Sequence, residues 1–310
     1  MSNYLPLVTV DILSYNRKDE LRNTLTKVYG QDYKNIEIIV VDNASSDGSP
    51  EMVATEFPDV ILIKMQKNIG IAGWNEGFKI AKGEYVLVLD DDSYPIDGTI
   101  RSGLEKMVES EKIAAVSFNI YNTLFERSET IDFLESPYFF NGCGALIRKS
   151  IFSQIGYYSN LIFLYFNELE FCSRIYNEKF TVVYLNDVKC IHHQSLNSRG
   201  EFTQKENPFK SEYRFYYYFV SYSIFILLRI NLFPGLLFLF KWHLNRLIIT
   251  VRMNYWKSFF KGIIHLTHLL PRILKKRAVV KIGTQKFYRF GNEVLVDKTY
   301  FPNFKKPKIL

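Results

Sequence analysis

A chain of 310 residues can bury a substantial core, and a composition 47% hydrophobic and 16% aromatic excludes a mainly disordered protein. Three cysteines, Cys143, Cys172 and Cys190, are too few and too scattered for a disulfide framework or a zinc site, which fits a reducing cytoplasm. The net charge of +7 divides unevenly: residues 1–200 carry 19 Lys and Arg against 27 Asp and Glu, a balance of −8, and residues 201–310 carry 20 against 5, a balance of +15.

The opening Met-Ser-Asn-Tyr-Leu-Pro lacks a basic region followed by a long apolar core, so no secretory signal is expected there. Over the next 120 residues apolar runs alternate with helical patterns. Val8–Leu13, Ile36–Val41, Val60–Ile63 and Tyr85–Leu89 read as strands, and Lys18–Tyr29, Ser49–Glu56 and Ala72–Ala81 as helices. This alternation predicts an α/β domain with a largely parallel sheet, whose ligands gather outside the carboxyl ends of the strands. Those ends carry Ser14-Tyr-Asn-Arg17, Asp42-Asn43 and Asp90-Asp-Asp92.

The last of these is the most telling. Tyr85–Leu89 reads as a strand buried on both faces, and it ends in three adjacent carboxylates that repel one another. One Asp could cap the following helix. Three in a row point instead to a hard divalent cation, Mg²⁺ or Mn²⁺, which takes oxygen ligands and bridges carboxylates to a substrate diphosphate.

Ile113–Phe118 reads as a further strand, and residues 119–138, without periodicity, as a substrate-facing loop. Phe139–Arg148 contains Gly142-Cys-Gly144, where missing side chains would let the backbone approach a ligand. Phe166–Glu178 reads as a helix, Thr181–Leu185 and Val188–Ile191 as extended. A composition shift near residue 200 marks the end of the first domain, giving domains 1–200 and 201–310.

The second domain reads as helical to about residue 278, with a short β tail over Val279–Val296. From Tyr213 to Asn292 it holds fourteen basic residues and no acid. Basic plus apolar suits the anionic cytoplasmic face of a membrane. Nucleic acid is the rival target, but the apolar content is too high and no nucleic-acid motif is present. The longest uncharged runs, Phe215–Leu228 and Ile230–Phe240, are each shorter than the roughly 20 residues that span a bilayer, which predicts interfacial attachment. The Tyr- and Phe-rich helices could equally form a homo-oligomer interface.

Taken together, Val8-Thr-Val-Asp-Ile-Leu-Ser-Tyr-Asn-Arg17, Glu37–Asp47, Asn68-Ile-Gly-Ile-Ala-Gly-Trp-Asn-Glu-Gly77, Gly83–Asp92 and Phe166-Asn-Glu-Leu-Glu-Phe-Cys-Ser-Arg174 resemble family 2 of the inverting glycosyltransferases. Within it they are similar to rhamnosyl- and galactofuranosyltransferases of bacterial surface polysaccharide synthesis. The resemblance covers about residues 5–200. It implies a GT-A fold (Rossmann-like, with a mostly parallel central sheet), an NDP-sugar donor linked to uridine or deoxythymidine, and a divalent cation.

Carried over residue by residue, the resemblance gives Asp42 the donor base and sets Asn16 and Arg17 on the loop passing the nucleotide. Asn68, Gly70, Gly73 and Asn75 form its loop-to-helix segment near the donor. Asp90 and Asp92 match its D-x-D pair: Asp92 is the expected direct metal ligand, with Asp90 and Asp91 addressing ribose, sugar or metal-bound water and Asp90 counted with Asp92 at the metal site. Glu168 falls where the family places its catalytic base, in a segment reading Asn167-Glu-Leu-Glu170 instead of E-D-x-D. Glu170 is the fallback, since residues two apart on a helix do not share a face. His192, preferred over His193, would complete the metal site.

The reading is therefore a metal-dependent transfer of sugar to a glycan or polyprenyl-diphosphate-glycan acceptor by an enzyme held at the inner face of the cell membrane. The alternatives are a nucleotidyltransferase, disfavoured because no Gly-rich basic loop follows the first strand, and a catalytically degenerate assembly subunit.

Overall fold

The computed structural model describes residues 5–129, 139–193, 211–285 and 288. It divides into two compact units, Met1–Asn160 with Arg174–Phe202, and Leu161–Ser173 with Thr203–Leu310.

In the first unit, Val8–Ser14 (β1) is buried along its whole length, as an apolar strand flanked on both sides and covered on both faces must be. Helix α1 (Lys18–Tyr29) leads to β2 (Ile36–Asp42), and α2 (Ser49–Glu56) to β3 (Ile61–Lys64). A 3₁₀ turn at Gly70–Gly73 then feeds α3 (Trp74–Ile80) and β4 (Tyr85–Asp90). The single helix expected over Ala72–Ala81 is thus split between a tight turn and a shorter helix. β5 (Ser93–Pro95), α4 (Thr99–Val108), β6 (Ile113–Asn122), β7 (Arg127–Ser128), β8 (Ala145–Arg148), α5 (Ile151–Ile155), α6 (Asn167–Asn177) and β9 (Thr181–His192) complete the order, α6 running from one unit into the other.

Among the described residues one sheet runs β3-β2-β1-β4-β8-β6-β9-β5, with β7 added beside β6. β1 to β4 are mutually parallel, β8 runs antiparallel to both β4 and β6, and β6 is again parallel to β9. Buried side chains of one sheet face and of α1, α2 and α4 make the main core, among them Val10, Ile12, Leu21, Leu25, Leu87, Leu104 and Phe118.

Three expectations change here. Thr181–Leu185 and Val188–Ile191 are one strand, interrupted by a register shift opposite Phe118 and Asn119, where the turn-forming Asn186-Asp187 bulges out. Residues 119–122 extend β6 and 127–128 pair with it, so only part of the expected loop is a loop; residues 130–138 lie outside the described residues. Gly144 serves packing rather than a ligand, since a Cβ there would stand 2.6 Å from Cys190 Sγ.

The second unit is built on α7 (Glu212–Arg229), α8 (Leu232–Met253) and α9 (Trp256–Lys276). Phe219, Val220, Ile224 and Leu228 of α7, Ile273 of α9, and Leu161 and Ile162 form its core. Pro234 is accommodated in the first turn of α8, where no intrahelical N–H is required. The uncharged run expected to stop at Phe240 therefore continues through Lys241 into one 22-residue helix, long and apolar enough by length and composition to cross a membrane. Residues 282–285 are helical rather than β; of the expected tail beyond them, only residue 288 is described.

Candidate active site

The carboxyl ends of β1, β2 and β4 lie side by side because these strands pair in parallel, Ser14 opposite Asp42 and Leu13 opposite Asp90. β5 then pairs antiparallel with the end of β9, setting Ser93 opposite His192. The chain turn at Asp91-Asp92 is thereby held beside His192, and His193 N–H donates to Asp92 O at 2.7 Å.

Asp91 and Asp92 are buried, and one guanidinium bridges them: Arg17 Nη1 lies 2.9 Å from Asp91 Oδ1 and 2.9 Å from Asp92 Oδ2. Tyr15 N–H donates to Asp91 Oδ2 at 3.1 Å, and Thr24 Oγ1–H to Asp91 O at 2.9 Å. His192 is buried with Nε2 3.3 Å from Asp92 Oδ1 and Nδ1 2.8 Å from Glu129 Oε2. Asn122 Nδ2 donates to the other Glu129 oxygen. His193 is exposed, its Nδ1 3.3 Å from Thr123 Oγ1. Cys143 Sγ donates to Asp90 Oδ2 at 3.0 Å.

The electrostatics follow from four carboxylates facing two cations. Burial pushes Asp91 up to about 7, against the pull of Arg17 and with the push of Asp92 and Asp90. Burial also raises Asp90, and repulsion from Asp92 adds to it. For His192 burial alone would favour the neutral ring, but Asp92 and Glu129 outweigh it and lift the imidazole to about 10. Arg17 is raised too, its burial overcome by Asp91, Asp92 and Asp90. The corner's acids outnumber its cations four to two, and the raised Asp90 and Asp91 show that full ionisation of all four is opposed.

Among the described residues no three His, Cys, Asp or Glu side chains form a ready-made metal cage. A two-ligand site fits nevertheless, provided a bound cation displaces the Nε2 proton of His192. Two neighbouring ligands of a small divalent cation at ~2.1 Å stand about 3 Å apart, close to the separation of His192 Nε2 and Asp92 Oδ1. Glu129 on Nδ1 is the carboxylate–histidine arrangement that turns Nε2 toward a metal. Mg²⁺ and Mn²⁺ commonly take only one or two protein ligands and fill the rest with water and phosphate oxygens.

On the β2 side, Asp42 is buried; Oδ2 accepts from Ser45 N–H at 3.0 Å, and no donor among the described residues reaches Oδ1. That acceptor suits the imino N–H of a base. Asn43, given no role of its own from sequence, accepts from Ile69 N–H and donates to Gly70 O, both at 3.0 Å, and so holds the Asn68–Gly70 turn. Within that turn Asn68 Oδ1 accepts from Gly70 N–H at 2.8 Å, with Gly70 at φ +69°.

Other expected donor contacts have structural employment instead. Asn75 spends both ends of its amide on the backbone of Tyr158, at 3.0 Å each, so it pins that segment. Asn16 Oδ1 accepts from Ser46 N–H at 2.7 Å and joins the loops after β1 and β2. Gly73 lets the turn pack on Leu13. Glu129 and Arg17's bridging role were not foreseen. Arg17 had a signal, since it follows β1, the strand adjacent to β4; Glu129 lies in a stretch without periodicity and offers none.

In the second unit, α6 begins at Asn167, whose Nδ2 donates to Ile162 O at 3.0 Å. Glu168 is half-buried. Glu170 is fully buried, and its Oε1 meets Arg229 Nη2 at 2.5 Å and Nε at 2.7 Å, which removes it from contention as the fallback base.

The sequence model of glycosyl transferase family 2 matches residues 9–170. WfaP of Escherichia coli, the UDP-Glc:α-D-GlcNAc-diphosphoundecaprenol β-1,3-glucosyltransferase, is 36% identical over 120 residues, 38% of this chain and 47% of WfaP. TuaG of Bacillus subtilis, named for teichuronic acid biosynthesis, is 32% identical over 144 residues, 44% of this chain and 56% of TuaG. The chain spans about half the length of these curated relatives. The mannosyltransferase PcManGT from Pyrobaculum calidifontis, solved with GDP-Man and Mn²⁺, superposes with a TM-score of 0.54 over 97% of this chain and 83% of PcManGT. At 17% identity that likeness is one of fold. With a match extending over just more than half of its residues, carried on a GT-A sheet, this chain belongs to glycosyl transferase family 2.

Proposed function

We propose that this protein transfers a sugar, with inversion, from a UDP- or dTDP-linked donor to a hydroxyl of a polyprenyl-diphosphate-linked glycan during surface polysaccharide synthesis. The observation that carries the reading is the crowding of three acids, Asp90–Asp92, at the sheet end, where Arg17 and His192 already face them and Asp90 and Asp91 still resist ionisation. A divalent cation on Asp92 and His192, with Asp90 nearby, would supply the Lewis acidity that offsets charge on the departing diphosphate.

The chain's own residues do the remainder. Asp42 Oδ1 accepts from the base and orients the nucleoside. Arg17 keeps Asp91 and Asp92 in one arrangement and leaves Asp92 Oδ1 turned to His192 Nε2. Glu168 takes the proton of the acceptor hydroxyl as the oxygen attacks the anomeric carbon, and a single displacement of this kind inverts the configuration. A carboxylate suits that task, since a positioned Glu can take a proton in the transition state as general base.

Membrane attachment belongs to the same proposal. It is supported by the acid-free basic stretch from Tyr213 to Asn292 and by the exposed apolar side chains of α8. WfaP, by its name, acts on an undecaprenol-linked acceptor.

Release of free nucleoside diphosphate from a panel of UDP- and dTDP-sugars tests the assignment. Asp92→Ala should abolish it, and Glu168→Gln should abolish it while donor binding by calorimetry persists. Near-normal turnover in both variants would remove the proposal.

A further inference from the structure

The family match ends at residue 170, and α7, α8 and α9 lie beyond it. The described contacts nevertheless tie the start of α6 to α7. Two residues after Glu168, the Glu170 carboxylate is buried on Arg229, the last residue of α7, through Nη2 at 2.5 Å and Nε at 2.7 Å. Arg229 Nη1 also donates to Ala278 O at 2.9 Å, so the guanidinium is held from a second side.

Ahead of Glu168 the chain is gripped as well. Ser221 Oγ of α7 donates to Leu164 O at 2.7 Å. Tyr165 and Phe166 follow with φ of 62° and 61°, left-handed backbone that residues with large side chains adopt only when the surroundings hold them there. What holds them is aromatic packing: the Tyr165 ring is 4.4 Å from that of Tyr218, and the Phe166 ring 5.1 Å from that of Tyr222.

We infer that Arg229 is a positioning residue for the reaction: through its buried pair with Glu170 it fixes the rotation of the first turn of α6, and so the direction in which Glu168 points. This rests on the reading of Glu168 as the base. Successive helical residues are turned by about 100°, so Glu168 and Glu170 project nearly oppositely. Anchoring one aims the other. A buried ion pair is a poor source of stability but a good source of a unique arrangement, because its geometry tolerates little drift. On this reading α7 contributes to the reaction through α6.

The test uses the full chain with Arg229→Gln, Arg229→Lys and the double variant Glu170→Met with Arg229→Met. The double variant replaces the pair by apolar side chains of similar length and keeps the unit folded if the single variants do not. Turnover is followed by nucleoside diphosphate release from whichever UDP- or dTDP-sugar the wild type uses. In Arg229→Gln the turnover rate should drop by a factor of about 30 or more, the scale on which a misdirected reacting group slows a reaction. Arg229→Lys should lose less, and UDP affinity with Mn²⁺ should be unchanged by calorimetry. The double variant should recover the melting temperature without recovering turnover.

Independently of turnover, hydrogen exchange of the amides of residues 167–171 should quicken in the double variant while those of α9 stay protected. Recovery of turnover together with melting temperature, or unchanged exchange at residues 167–171, would overturn the inference. Loss of the base assignment would look different: Glu168→Gln would remain active in an otherwise wild-type chain.

Discussion

Gly77 of α3 lies flush against Asp11 of β1, and a Cβ built on Gly77 would stand 2.2 Å from each Asp11 carboxylate oxygen. Asp11 is fully buried, neither oxygen meets a donor among the described residues, and burial pushes its pKa well above the usual carboxylate value. The folded protein thus keeps a proton that the unfolded chain releases near pH 3.8. Where the folded state binds more protons than the unfolded, stability falls as pH rises, and here the loss begins at the unfolded value. Asp11→Val should raise the melting temperature at pH 7.5 by roughly 4–8 °C, corresponding to about 2 kcal/mol. The gain should shrink as pH is lowered toward 4, where only the cost of burying the neutral, unpartnered carboxyl is left. Calorimetric scans of both proteins between pH 4 and 8 check this; a gain independent of pH would refute it.

The acidic corner makes the opposite demand. Arg17 is the cation shared by Asp91 and Asp92, with its own side chain 22% exposed. Removing one partner of a buried pair costs about 3–5 kcal/mol, and the partial exposure here argues for the lower end or somewhat less, about 2–3 kcal/mol. Arg17→Gln should be destabilised by that amount, and Asp91→Asn in the same background should recover part of it. Chemical denaturation of the single and double variants measures the coupling. Additive effects would mean that the bridge contributes nothing.

A third expectation concerns Glu129. Its contact with His192 Nδ1 fixes which ring nitrogen faces Asp92. Outer carboxylates of this kind are typically worth about 10–100-fold in metal affinity. Calorimetric titration of Mn²⁺ in the presence of UDP should show a weakening in that range for Glu129→Gln and a larger one for Asp92→Asn. Equal Mn²⁺ binding by all three proteins would place the cation elsewhere.

These sites differ in how far the sequence disclosed them. β1, β2, β4 and the acids that end β4 were legible, because a buried strand and its polar terminus are local patterns. The reversal of β8 between two strands that it opposes was not, since a four-residue apolar strand has no directional signature. A pair of adjacent histidines at a strand end does not reveal which one faces the site; only the β5–β9 pairing explains why His192, and not His193, is the buried one. Asn75 misled because an amide in a turn motif reads the same whether it meets a ligand or, as here, the backbone of Tyr158, 83 residues away. Glu129 and Arg229 act across 63 and 59 residues of chain, distances at which one sequence carries no pairing information.

The last prediction concerns α8. Leu232, Phe233, Leu236, Leu237, Phe240 and Leu244 are exposed on it, Phe233 to 87%. Gly235, Leu239, Arg246 and Thr250 form its buried side, with the Arg246 guanidinium 4.0 Å from the Trp242 ring. A helix that crosses a bilayer meets lipid over much of its circumference. This one is committed to protein along one side, and that side carries a charge. Its length would permit spanning, but its two-sided character favours lying in the plane of the interface with the phenylalanines and leucines inserted. Lys241, Arg252, Lys257 and Lys261 are exposed on α8 and α9 and suit an anionic headgroup layer. The variant with Phe233, Leu237 and Phe240 all changed to Ser removes three large apolar groups, each worth about 1.5–3 kcal/mol when fully buried. Partial insertion still leaves an expected loss of roughly 50-fold or more in cosedimentation with vesicles containing phosphatidylglycerol. Binding of the wild type should weaken with added salt and be poor on purely zwitterionic vesicles. If the wild type ignores both vesicle types and instead forms a dimer that the triple variant dissolves, the surface belongs to a second copy of the chain and not to the membrane.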